Sequence, residues 1–169
     1  LVFGYALLWP LIVGYRLGWT SGVTVRRAIV RLGFAGMPAA RLAALGNTFA
    51  TSRIPPELRP GMMDRLAAHR ARGDRIVLVS GALDVYLAPW CAIHGLELVC
   101  SQLESRDGRM TGRYLGEQCV NEEKVRRVRA LIGSAGDVHV VAYGDTHEDA
   151  AMLAMADEAW WRGEPMARP

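Results

Sequence analysis

The chain has 169 residues, 51% of them hydrophobic and 22% charged, with a net charge of +3 and a pI near 9.0. These proportions exclude a disordered or collagen-like chain and leave room for one core plus a small helical module. The mildly basic balance suits phosphorylated substrates or anionic lipid surfaces, but the basic residues form no long run, so no nucleic-acid partner is expected.

Leu1 to Tyr15 contains no charged residue, and the first charge is Arg16. The run falls short of the roughly twenty apolar residues that span a bilayer, and Pro10, Gly4 and Gly14 interrupt it. One reading is a buried helical hairpin. The other is an apolar, aromatic surface in peripheral contact with a membrane through residues 1–19, because Tyr5, Trp9, Tyr15 and Trp19 suit the interface. The start at Leu1, without the basic flank and cleavage site of a signal peptide, reads as a portion of something longer. Ser21 or Thr24 can cap a helix carrying Val25, Ile29, Leu32 and Phe34, and Pro38 opens another through Leu42, Leu45 and Phe49. Residues 1–55 therefore read as a helical unit, closed by Ile54-Pro55-Pro56 as a stiff extended link.

From residue 56 to 169 the texture alternates. A helix is predicted over Leu58–Arg72, a buried strand over Arg75–Ser80, a helix over Asp84–His94 and a strand over Leu96–Ser101. Asp107-Gly108 predicts a tight antiparallel excursion. A helix over Asn121–Ile132, a strand over Val138–Tyr143, a helix over His147–Met155 and a short strand at Ala159-Trp160-Trp161 complete the series. This rhythm predicts an α/β fold: a doubly wound, Rossmann-like, mainly parallel sheet with helices on both faces. The three cysteines, Cys91, Cys100 and Cys119, are odd in number and lack CxxC spacing, so they read as reduced thiols of a cytoplasmic protein.

In such a sheet, chemistry gathers at the carboxyl ends of strands. Three features fall there or can reach such a place. Ser80-Gly81 offers a hydroxyl and a close backbone amide as an anion cradle, or an ordinary strand-to-helix turn. Lys124 is a point charge able to reach the crevice, or one of a solvated basic face with Arg126, Arg127 and Arg129. Asp145 and Asp149, four apart after a strand and Gly144, can converge on one hard cation, although Asp149 can instead complement a helix dipole. His147 has no partner and reads as a bystander.

In order and spacing these features resemble the haloacid dehalogenase superfamily, in its phosphoserine-phosphatase-like and phosphatidylglycerophosphatase-like branch. Ser80-Gly81 resembles the second motif of that family, Lys124 after GEQCVNEE the third, and GDTHED from Gly144 to Asp149 the fourth. The helical unit more loosely resembles the family's cap. The resemblance implies a phosphomonoester hydrolase forming an aspartyl-phosphate. It implies Mg2+ at Asp145 and Asp149, phosphate held by Ser80, Gly81 and Lys124, and catalytic roles for Lys124, Asp145 and Asp149. The substrate would be a small phosphorylated metabolite or a phospholipid, handed to water or to another acceptor. The family's DxDx(T/V) nucleophile motif is absent from this sequence and is expected upstream of Leu1, along with the first core strand. Without it the chain is expected to lack turnover. The alternative is a non-catalytic phosphate- or metal-binding, membrane-associated interaction module.

Overall fold

The computed structural model describes residues 2–133 and 138–167, with side chains described from Leu8 onward. Helices α1 (Val2–Arg16), α2 (Gly22–Phe34) and α3 (Ala39–Ser52) form the amino-terminal unit. The first apolar run is thus a single helix containing Pro10, and not a hairpin. Ser21 caps α2, its hydroxyl accepting the Thr24 N–H at 3.2 Å. The segment Pro55–Glu57 closes into a 3-10 turn, with Leu58 N–H donating to Pro55 O, where an extended link was expected. Ile54 is already helical there, so the two prolines, whose fixed φ also suits a helix start, continue the turn.

The alternating part begins with α4 (Pro60–Ala71), then β1 (Val77–Leu83), α5 (Asp84–His94), and β2 (Glu97–Ser101), which pairs parallel to β1. Gly95 ends α5 in the left-handed conformation at φ 61°. An antiparallel hairpin of β3 (Leu103–Arg106) and β4 (Arg109–Tyr114) follows, turning at Asp107-Gly108. Then come α6 (Glu122–Ile132), β5 (Val141–Gly144), a 3-10 turn at His147–Asp149, α7 (Ala150–Met155), β6 (Glu158–Trp161) parallel to β5, and a short β7 (Glu164–Pro165).

The protein is a mixed α/β fold with parallel strands, but its sheet is divided. Among the described residues β1 pairs only with β2, and β5 only with β6. Consequently β1, apolar enough to be predicted as a buried strand, is only half-buried at every position. Among the described residues, three separate clusters of buried apolar side chains stand out. Val30, Leu42, Leu103 and Met110 join the helical unit to the hairpin; Ala50, Trp90 and Cys91 join α3 to α5; Ala142, Leu153 and Ala156 lie beside β5. Main-chain bonds also fasten the helical unit to β4, with Met110 N–H donating to Met37 O and Gly36 N–H to Met110 O, both at 2.8 Å. All three cysteines are free and buried, and burial, with Asp84 adding to it, pushes Cys100 up to about 12.

Candidate active site

The register between β1 and β2 shifts after Ser80, leaving Gly81 and Ala82 without partners in β2. Ser80 Oγ accepts the Ala82 N–H at 3.1 Å, which closes a small loop and leaves the hydroxyl proton free to donate. Gly81 lies under the segment before α6. A Cβ there would stand 2.7 Å from Val120 Cγ1, 3.4 Å from Cys119 O and 3.6 Å from Glu148 Oε2. The carboxyl end of β1 thereby meets both the entry to α6 and the turn after β5. Asn121, at φ 49°, directs the chain into α6, and its N–H donates to Glu148 O at 3.1 Å.

One turn into α6 the side chain of Lys124 points inward and is buried, at 5% exposure. Its Nζ donates to Asp149 Oδ1 in an ion pair whose two side chains are both more than nine-tenths buried. The other oxygen, Oδ2, accepts from Thr146 Oγ1 at 2.9 Å, Thr146 N–H at 3.0 Å and Asp145 N–H at 3.2 Å. Thr146 and Asp149 form a reciprocal capping box around the turn. Burial opposes ionisation of Asp149, but the Lys124 and Thr146 donors outweigh it and hold the carboxyl below its ordinary 3.8. Gly144 allows this close packing, since a Cβ there would stand 2.6 Å from Asp149 Cβ.

Asp145 lies at the rim. Its side chain is 42% exposed, and Oδ2 accepts from Arg59 Nη2 at 2.8 Å. His147 is exposed. Of the residues singled out in the sequence, Lys124, Asp149 and Asp145 form one connected chain of contacts. Ser80 and Gly81 join it through Cys119-Val120 and Glu148. Arg126 and Arg129 stay exposed, and Arg127 turns back to Glu123, Cys100 O and Glu117 O.

Arg59, Arg26, Gln118 and Glu148 were not anticipated. Arg26 on α2 donates through Nε to Gln118 Oε1 at 2.7 Å and through Nη2 to Glu148 Oε1 at 2.8 Å, tying the helical unit to the site rim. Nothing local in sequence marks these long-range pairs. Thr146-x-x-Asp149, in contrast, is a readable capping signature, and Lys124 is the one lysine among 20 basic residues.

The profile of the haloacid dehalogenase-like hydrolases matches residues 4–154. The chain belongs to that family. It is an enzyme of the haloacid dehalogenase-like hydrolases, of phosphatase type. Protein CicA of Caulobacter vibrioides is 34% identical over 163 residues, covering 95% of this chain and 72% of that protein. A phosphoserine phosphatase of Idiomarina loihiensis is 31% identical over 105 residues, 60% of this chain and 48% of that one. Among solved structures, a protein of unknown function from Bordetella pertussis Tohama I matches with a TM-score of 0.77 at 27% identity, over 89% of this chain and 70% of that one. A probable phosphoserine phosphatase from Vibrio cholerae matches in fold with a TM-score of 0.71 at 22% identity, over 91% of this chain and 46% of that one.

Proposed function

We propose that this haloacid dehalogenase-like hydrolase is an Mg2+-dependent phosphomonoesterase whose nucleophilic aspartate lies in a DxDx(T/V) strand preceding Leu1. The observation that carries the reading is the buried Lys124–Asp149 pair, whose carboxylate also holds the Asp145-Thr146 turn beside the Ser80-Gly81 cradle. One cation, one rim carboxylate and the Ser80 hydroxyl, beside the two residues that drop out of the β1–β2 register, support that reading.

Each role follows from that arrangement. Ser80 donates its hydroxyl proton to a phosphate oxygen, and Gly81 lets the backbone come close to another. Lys124 neutralises charge on the phosphoryl group; ion-paired and buried, it is preorganised for that task. Asp149 positions Lys124 and the turn, because both of its oxygens are engaged. Asp145 would ligate Mg2+ directly. A half-exposed carboxylate at the rim fits such an ion, because Mg2+ keeps several waters and takes one or two carboxylates plus substrate phosphate. When bound, the ion would offset charge on the phosphate and the carboxylates. Aspartyl-phosphate formation and its hydrolysis would fall to the upstream carboxylates. The substrate is a small phosphorylated metabolite or a phospholipid. Residues 1–55 act as a cap over the 56–169 core, tied down through Arg26 and Glu148.

The test is hydrolysis of an aryl phosphate with Mg2+ by the 169-residue chain and by a version extended upstream through a DxDx(T/V) strand. Turnover is expected only in the extended version, with Lys124→Met and Asp145→Asn each lowering it by about 10³-fold or more. Equal rates from both versions would locate the nucleophile within these residues and overturn the reading.

A further inference from the structure

We infer that the amino-terminal unit docks peripherally on an anionic phospholipid surface, led by the turn between α1 and α2. This inference is independent of the phosphatase reading, because it rests on exposure and charge outside the site.

Five consecutive residues, Tyr15-Arg16-Leu17-Gly18-Trp19, are all exposed. Tyr15 is 55% exposed, Leu17 54% and Trp19 81%, the highest value among the exposed large apolar side chains. Trp9, at 64%, stands seven residues before Arg16 on the same helix and so shares its face. Gly18, at φ 76°, allows the turn that presents Trp19. Isolated exposed apolar side chains need no explanation, but a turn offering two aromatics and a leucine does. Tryptophan and tyrosine are the side chains that settle at the headgroup level of a bilayer.

Charge selects the kind of surface. Residues 1–56 hold six arginines and no acidic residue, so the rest of the chain, with 14 basic residues against 17 acidic ones, is net negative. Arg26 and Arg27 pair with Glu148 and Glu117 of the core. Arg16, Arg31, Arg41 and Arg53 are exposed and make no ion pair among the described residues. An apolar, aromatic turn that carries Arg16, on a unit with further unneutralised arginines and no acidic residue, fits anionic headgroups over a thin apolar layer. No described helix is long and apolar enough to cross a membrane, so the contact is with the surface. An RNA-binding surface would instead track a backbone with a basic groove and stack bases on its aromatics. The exposed apolar turn residue Leu17 has no use there, which favours lipid.

The test mixes the chain with vesicles of phosphatidylcholine alone or with about a third phosphatidylglycerol, and with a single-stranded RNA as competitor. Co-sedimentation is expected to be at least about tenfold greater with the anionic vesicles and to fall with salt. Lipids brominated near the headgroup should quench tryptophan fluorescence, and Trp9→Ser with Trp19→Ser should remove that quenching. Arg16→Gln with Arg31→Gln should weaken binding about 25-fold, at about fivefold per charge. These positions are exposed, so the variants should fold, and quenching in the unmodified chain stands as a readout even if they do not. Absent or charge-independent vesicle binding, undiminished quenching in the tryptophan variant, or binding to RNA alone would overturn the inference.

Discussion

Lys124 is buried against Asp149 although nineteen other basic residues of the chain are arginines, most of them solvated. Both side chains of this ion pair are more than nine-tenths buried, and breaking such a pair by removing one partner costs about 3 kcal/mol or more. Asp149→Asn is therefore expected to lower unfolding free energy by about 3 kcal/mol, read by urea denaturation. It should also raise the reactivity of Lys124 toward an amine reagent, read by mass spectrometry at the sole lysine. A loss under about 1 kcal/mol would mean that the pair is not holding the turn. The Asp149 carboxyl lies below its ordinary value in the folded protein, so its stabilisation is fully present above the unfolded value near 3.8 and is lost as pH falls further. At this scale the sequence was informative where chemistry is local: Ser80-Gly81, Lys124 and the paired aspartates could be singled out by position after strands. The Thr146 and Asp145 donors to Asp149 are local, but its engagement by Lys124, and that of Asp145 by Arg59, depends on packing between distant segments and left no local trace.

Helix termini were legible for a similar reason. Asp84–His94 with Gly95 after it, and Ser21 before α2, are capping signals written within a few residues. How the elements touch was less legible, and Gly46 shows why. It sits in α3 where a Cβ would stand 1.9 Å from Val85 O and 2.7 Å from Val85 C, so the helix rests directly on the first turn of α5. In sequence the same glycine only weakens a helix. Gly46→Ala should favour α3 locally yet force the two helices apart, with a net loss of about 1–3 kcal/mol by thermal unfolding. A stabilised variant would show that the contact can relax. On α6, bonds from Arg126 first and Arg127 second, against a partial desolvation, hold Glu123 at about 2, well below its ordinary 4.5. Its contribution is thus present above about pH 4.5 and lost as pH falls toward about 2. The stability difference between the chain and its Glu123→Gln variant should shrink on titration from about pH 6 to about pH 2.5. A constant difference would mean that Arg127 holds α6 to β2 through Cys100 O alone.

Across the whole molecule, the pattern of strands alternating with helices made the α/β class legible, but strand order is a matter of long-range pairing that no local signal encodes. The division of the sheet belongs here. A strand of the composition Val77-Leu78-Val79 ordinarily disappears between two neighbours, and in this structure it is half-buried with one. Among the described residues β5 likewise has one partner, and no core cluster joins the two strands. Yet their carboxyl ends are drawn together through Gly81, Val120 and Glu148. Two free edges held near each other at one end define a slot, and an unpaired edge is a standing template for a strand. The chain also covers 72% of the length of CicA, a relative it matches over 95% of its own length. If an apolar strand supplied ahead of Leu1 enters the slot, both edges gain hydrogen bonds at once. Amide exchange should then slow by at least about tenfold in Val77–Ser80 and in Val141–Tyr143 together, relative to the 169-residue chain, with β2 and β6 changing less. Protection gained at only one of the two edges, or at the outer side of β2, would mean that the added strand lies elsewhere and that β1 and β5 are not neighbours across a common strand.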